Sequence, residues 1–134
     1  MLQELSKHFE IVVFTSGIKT YMNKIMDILD PEGKIISHGF SREYTFPNMR
    51  RNCHQKDLTC LLSNRLLKDV IIIDNKEQGV TNFENLIPIQ DYEGEESVNT
   101  LKYLKNYLLS FKGCADVRPL ILADFQYKAM PWIV

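Results

Sequence analysis

Asp74 and Asn75 stand directly behind four consecutive aliphatic residues in the stretch VIIIDN, Val70 to Asn75. An aliphatic run of that kind reads as a strand buried on both faces, and two short polar side chains at its end have two readings. One is a turn, which Asp and Asn favour because their side chains bond the backbone just ahead. The other is a pair of hard oxygen ligands for Mg²⁺, which takes one or two carboxylates and keeps several waters. Thr15, Ser16 and Gly17 pose the same choice after the run Ile11 to Phe14. Where a strand turns into a helix, a hydroxyl is either an N-cap or, with the unpaired N–H groups and the helix dipole, part of a phosphate cradle. Lys56, in HQKDL, is either a solvated surface lysine or an ammonium that offsets phosphoryl charge.

The conjunction carries more than its members. A hydroxyl, then a lysine, then Asp-Asn is the reverse of a phospho-accepting receiver domain, which has its acids first and its lysine last. No Gly-x-x-x-x-Gly-Lys or Gly-x-Gly-x-x-Gly occurs in the chain, so the nucleotide folds built on those loops are not supported. Cys53, His54 and Cys60 match no common zinc spacing.

The elements that must position these groups follow from periodicity. Leu2, Leu5 and Phe9 predict an opening amphipathic helix with no capping residue before it. Ile18, Tyr21, Met22, Ile25, Met26 and Leu29 mark a second helix, stopped at Asp30-Pro31. Short β-prone pieces, KIISHGF and EYTF, follow without a long periodic segment. Leu58, Leu61, Leu62 and Leu66 predict a third helix, NLIPIQ a further buried strand, and Val98, Leu101, Leu104, Leu108 and Phe111 a last helix ending near Gly113. The tail from Arg118 to Val134 is ambiguous. Alternating helix and apolar strand imply an α/β layer fold with a mostly parallel sheet, whose sites lie beyond the carboxyl ends of the strands.

With 134 residues one domain, 1–134, is expected. A net charge of -1 steers the chain neither to nucleic acid nor to acidic lipid. No apolar run approaches the ~18 residues of a membrane span. Three sparse cysteines fit a reduced intracellular setting rather than a disulfide scaffold. The acids of Asp91 to Glu96 read as a solvated loop before a helix N-terminus.

FEIVVFTSG, SREYTF, KDL, VIIIDN, IPIQDYEGEESVNTLKYLKNYL and DVRPLI, in that order, resemble the phosphatases acting on the RNA polymerase II C-terminal domain and their small NLI-interacting-factor-like relatives, within the haloacid dehalogenase superfamily. The resemblance implies a three-layer Rossmann-like sheet with a small inserted β element, here 35–47. It implies catalytic roles for Thr15, which binds the transferring phosphoryl group, and Lys56, which balances its charge. Ser16, Gly17 and Arg42 become phosphate or substrate contacts, and Asp74 and Asn75 the Mg²⁺ ligands. His54 stands where the family has an aromatic residue, and Lys76-Glu77 where it has Ser-Pro; both departures bear on substrate preference.

A larger departure concerns the family's Asp-x-Asp-x-Thr-Leu, which supplies the nucleophile and the general acid. No Asp-x-Asp occurs among the 134 residues. The strand that carries it would lie between those ending at Thr15 and Asp74. Three arrangements answer to this: the strand precedes Met1 in a longer product, the two flanking strands close up, or a second chain fills the slot. The first is expected, making the chain N-terminally truncated relative to the family and Mg²⁺ weakly bound or absent. The implied function is a Mg²⁺-dependent protein serine/threonine phosphatase domain, inactive without its aspartates. It would act on a phosphoprotein or phosphopeptide in the nucleus or cytoplasm. A non-catalytic module of the same fold is the alternative, either like the mitochondrial presequence-translocase subunit or a pseudophosphatase docking phosphoproteins through Thr15 and Lys56.

Overall fold

The structure is a computed structural model and describes residues 1–89 and 97–129. Asp91 to Glu96 and Trp132 lie outside the described residues. The chain divides into two compact units, Met1–Thr45 with 97–112, and 46–89 with 113–129.

The first unit is organised by a parallel crossover. Strand β1, Ile11–Phe14, pairs with β2, Ile36–Phe40, in register Ile11↔Ile36, Val13↔Gly39 and Phe14↔Phe40, with an irregularity after Ile11. Helix α2, Lys19–Leu29, joins them. The strand was expected to be buried on both faces, but all four β1 residues are half-buried. Gly39 is what lets α2 lie against β2: a Cβ there would sit 2.8 Å from Met26 Sδ and 2.9 Å from Met22 Sδ. The helix ends because Asp30 captures the chain beyond it. Its Oδ1 accepts Lys34 N–H at 3.0 Å, and its Oδ2 accepts Ile35 and Ile36 N–H at 2.9 and 2.8 Å. These bonds, Ile36 first, hold the Asp30 carboxyl below the ordinary carboxylate range.

The opening helix α1 is only Leu2–Leu5, shorter than the stripe to Phe9 predicts. Four residues make barely one turn, so its place depends on packing: Leu5 is buried, and Glu4 pairs with Lys105 at 3.0 Å on α3, Ser97–Leu109. Leu104, Leu108 and Phe111 are buried as their spacing requires, while Leu101 is exposed. Gly113 has φ +73°, the left-handed conformation that ends such a segment.

In the second unit, β3, Thr45–Asn48, and β4, Cys53–Lys56, form a two-stranded sheet. Asn48 Oδ1 accepts the N–H groups of Arg50 and Arg51 at 3.1 and 3.2 Å, and Asn52 takes φ +50°. Asn is the non-glycine residue that tolerates this best. Strand β5, Ile72–Asp74, runs parallel to β6, Leu86–Pro88, so the aliphatic run before Asp74 is a strand as predicted. Leu58, Ile72, Val80 and Leu86 form its buried cluster. Truncating Leu58 to Ala there is expected to cost about 2–5 kcal/mol.

The third helix predicted from Leu58, Leu61, Leu62 and Leu66 is replaced by two short 3-10 turns, Leu58–Leu61 and Leu67–Asp69. Side chains from later in the chain hold the segment at its start and just beyond its end. Asn82 Oδ1 accepts Leu58 N–H at 2.8 Å, and Asn85 Nδ2 donates to the carbonyls of Leu67 and Val70 at 2.6 and 2.8 Å. Leu66 is 62% exposed and contributes nothing to an apolar face. The ambiguous tail is a helix, α4, Val117–Ala129, with Val117 and Ile121 buried. Asp116 caps it by accepting Arg118 N–H at 3.0 Å and binds the same guanidinium through both oxygens.

Candidate functional site

Thr15 follows β1, and its backbone N–H donates to Phe40 O at 2.9 Å, which extends the β1–β2 ladder by one rung. Its Oγ1 accepts Gly17 N–H at 3.0 Å, which leaves the hydroxyl proton to be donated. Gly17 is required here: a Cβ would lie 2.8 Å from Tyr21 Cδ1 and 3.3 Å from Thr15 Oγ1. Ile18, in extended conformation, leads into α2 with no side-chain cap. Thr15 and Ser16 are therefore not N-caps, which was the structural alternative to a cradle. Arg42 fastens the loop from across the unit. Its Nε donates to Ser16 O at 2.7 Å and its backbone N–H to Gly17 O at 2.9 Å.

In the second unit Lys56 ends β4 and Asp74 ends β5. Lys56 Nζ pairs with Asp74 Oδ2, and the two side chains are only 15% and 6% exposed. Asp74 Oδ1 accepts Lys76 N–H at 2.8 Å. Lys56 is thus no solvated surface lysine, and Asp74 makes the turn and faces a cation as well. Lys56 is also tied through its main chain, bridged to Val80 and accepting Thr81 N–H at 2.9 Å. Asn75 is exposed.

A feature the sequence does not signal lies behind this pair. The carbonyl of Gln78 accepts from Arg51 Nη1 at 3.2 Å, Gln55 Nε2 at 3.2 Å and Cys53 Sγ at 3.8 Å. The turn after Asp74 is thereby laced to β4 and to the turn before it. Burial pushes the Cys60 thiol up, away from a metal-binding thiolate. Among the described residues no three His, Cys, Asp or Glu side chains gather to hold a metal.

The first unit therefore assembles Thr15, Ser16, Gly17 and Arg42, and the second assembles Lys56 and Asp74 with Asn75 beside it. One gathers a hydroxyl and a guanidinium around a strand-to-helix loop, the other a part-buried ammonium against a buried carboxylate. The family model for NLI interacting factor-like phosphatases matches residues 1–118. The chain belongs to that family. Its helices and short parallel strand pairs make an α/β fold. The fission yeast RNA polymerase II CTD phosphatase Fcp1, solved with beryllium fluoride, superposes with a TM-score of 0.53 at 20% identity, covering 96% of this chain and 36% of that one.

The relatives include proteins named as phosphatases and proteins named as translocase subunits. The chain is 32% identical over 126 residues to CTD small phosphatase-like protein 2 of Dictyostelium discoideum, covering 93% of this chain and 21% of that protein. It is also 32% identical over 130 residues to the mitochondrial import inner membrane translocase subunit TIM50 of Candida glabrata, covering 95% and 26%. The chain thus spans about a quarter of the length of these relatives.

Proposed function

We propose that residues 1–134 are the phosphoryl-binding portion of a Mg²⁺-dependent protein serine/threonine phosphatase of the CTD-phosphatase type, and that without an Asp-x-Asp they bind a phosphoprotein but do not turn it over. The observation that carries this reading is the largely buried Lys56–Asp74 pair, its side chains 15% and 6% exposed, at the carboxyl ends of β4 and β5. A buried charge pair is costly to form and no route to stability in itself, so its place at two strand ends points to chemistry.

The roles follow from the donor set. Thr15 donates its hydroxyl proton to a phosphoryl oxygen, because Gly17 N–H already occupies the oxygen's acceptor side. Ser16, Gly17 and the first N–H groups of α2 line the same loop. Arg42, held at Nε by Ser16 O, presents its remaining guanidinium N–H groups to the phosphate or to the acidic substrate around it. Lys56 supplies a positive charge that neutralises the transferring group.

Asp74 and Asn75 are the residues that would hold Mg²⁺, which when bound shields phosphoryl oxygens from an incoming nucleophile's charge. The donor set is thin for that ion: one carboxylate, with one oxygen on Lys76 N–H and the other on Lys56, and one amide. Weak binding, completed by substrate oxygens, is what such a set allows. The partners proposed are phosphoproteins, with no direct nucleic-acid contact. No helix among the described residues is long and apolar enough to cross a membrane. The nucleus or cytoplasm is the proposed setting.

The test is fluorescence anisotropy with a phosphoserine peptide and its unphosphorylated twin, alongside phosphate release from the peptide and from an aryl phosphate. Preferential binding of the phosphopeptide without release is expected, with release appearing once an upstream segment bearing Asp-x-Asp is joined. Equal affinity for both peptides would overturn the reading. Similarity to TIM50 over 130 residues favours a second reading, a non-catalytic peptide-binding module. That reading predicts binding of a basic amphipathic presequence peptide, indifferent to charge reversal at Lys56.

A further inference from the structure

We propose that the tip of the β3–β4 hairpin is a membrane-docking surface, Met49 entering the apolar boundary of a bilayer while Arg50 and Arg51 meet anionic headgroups. None of the three belongs to the phosphoryl-binding set. Met49 is 91% exposed at the turn, and Phe46 on β3 is 58% exposed. Single exposed apolar side chains are ordinary; what sets these apart is the charge around them. From Thr45 to Lys56 the chain has three Lys or Arg and no Asp or Glu. Lys56 is engaged by Asp74, so the positive charge left to water is at the tip, where Arg50 and Arg51 are exposed. Arg51 gives an N–H to Gln78 O, a neutral acceptor that leaves its charge intact. The net charge of -1 does not cancel this, because salt screens the rest of the chain beyond about 8 Å.

The hairpin holds the tip out in advance of any partner. Asn48 Oδ1 accepts the N–H groups of Arg50 and Arg51 at 3.1 and 3.2 Å, and Asn48 Nδ2 donates to Gln55 Oε1 at 3.1 Å on the opposite strand. Little ordering is left to be done on docking. The same geometry disfavours a peptide as the occupant. A peptide is held by a groove or by a strand edge. Pro47 has no N–H to give a strand added along β3, the N–H groups of the turn are spent on Asn48, and a side chain as exposed as Met49 stands on a convex surface. A lipid surface needs neither groove nor edge. It offers anions to guanidiniums and hydrocarbon to a thioether and a ring, the pattern of proteins that lie on a bilayer rather than cross it.

The test is sedimentation of the 134-residue chain with vesicles of phosphatidylcholine and of an equal mixture of phosphatidylcholine and phosphatidylserine. The mixture should be bound about 25-fold more tightly, about fivefold for each guanidinium at an anionic surface. In about 1 M salt, where screening sets in at about 3 Å, that preference should vanish. Arg50→Glu should remove it as well, and Met49→Asp should weaken binding to the mixture by about tenfold, the scale of one buried apolar side chain. Both side chains are exposed, so the fold should be kept, which circular dichroism checks. Met49→Trp should move its tryptophan emission to shorter wavelength when the mixture is added, by more than the wild type, whose single tryptophan is Trp132. No preference for the anionic mixture by the wild type overturns the proposal. So does a preference indifferent to Arg50→Glu, or an affinity indifferent to Met49→Asp. Capture of a glutamate-rich peptide with the vesicles left unbound overturns it too, and would make the tip a protein-binding surface.

Discussion

Asn85 is 1% exposed, and its amide is the clasp that stands in for the missing third helix. Asn85→Ala removes two donors, at 2.6 Å to Leu67 O and 2.8 Å to Val70 O. Leu67 O keeps the N–H of Val70 at 3.2 Å, so the loss falls harder on Val70. With about 1–3 kcal/mol for each buried group deprived of its partner, the substitution should cost about 2–4 kcal/mol. In urea unfolding followed by circular dichroism, that is a midpoint lower by about 1–2 M at a slope near 2 kcal/mol per M. Asn85→Asp keeps the shape and reverses the chemistry, since a carboxylate facing two carbonyl oxygens can only accept. Burial without donors raises that carboxyl's folded pKa above its unfolded value near 3.9. Its penalty is therefore full above the folded pKa and shrinks as pH falls through it, when the protonated acid can donate to one carbonyl. At neutral pH Asn85→Asp should be the less stable of the two variants, and in acid the gap should narrow. A cost below about 0.5 kcal/mol for Asn85→Ala, in the range of ordinary surface changes, would refute the clasp. So would an Asn85→Asp variant whose midpoint tracks that of Asn85→Ala at every pH.

Asp30 makes the opposite pH prediction: its carboxyl is depressed, so the stability it lends is present above its ordinary 3.8 and lost as pH falls through the folded value. Asp30→Asn should flatten that acid limb in urea midpoints collected across pH. Gly39→Ala drives a methyl into Met22 and Met26 and should cost about 1–3 kcal/mol by thermal melting, an overpacking penalty. Arg42→Lys keeps the charge but loses the planar fork that spans Ser16 O and a phosphate, so phosphopeptide affinity should fall about tenfold with little change in melting temperature. Retained affinity would mean that Arg42 only braces the loop.

β1, α2, β5 and β6 were legible because each announces itself locally, through an aliphatic run or a 3.6-residue stripe closed by Asp30-Pro31. The stretch from Leu58 to Leu66 was misread for the converse reason. Its spacing is helical, but the groups that decide its backbone, Asn82 and Asn85, lie some twenty positions on, and no local pattern reports them. The tail does carry a helix-start signature, Asp116 followed by Pro119 in the first turn. At the candidate site the residue types were legible and their engagements were not. That Lys56 would meet Asp74 was implicit in the order of motifs, whereas the attachment of Arg42 to Ser16 O, across 26 positions, required the fold.

The Gln78 carbonyl ties three side chains of the β3–β4 hairpin to the turn that begins at Asp74. Together with the Lys56 bridge to Val80 and Thr81, this makes hairpin and turn one mechanical piece. A pull on the outlying Met49 and Arg50 would reach the backbone only a few residues from Asp74, so that a load on the hairpin tip would be felt at the Lys56–Asp74 pair.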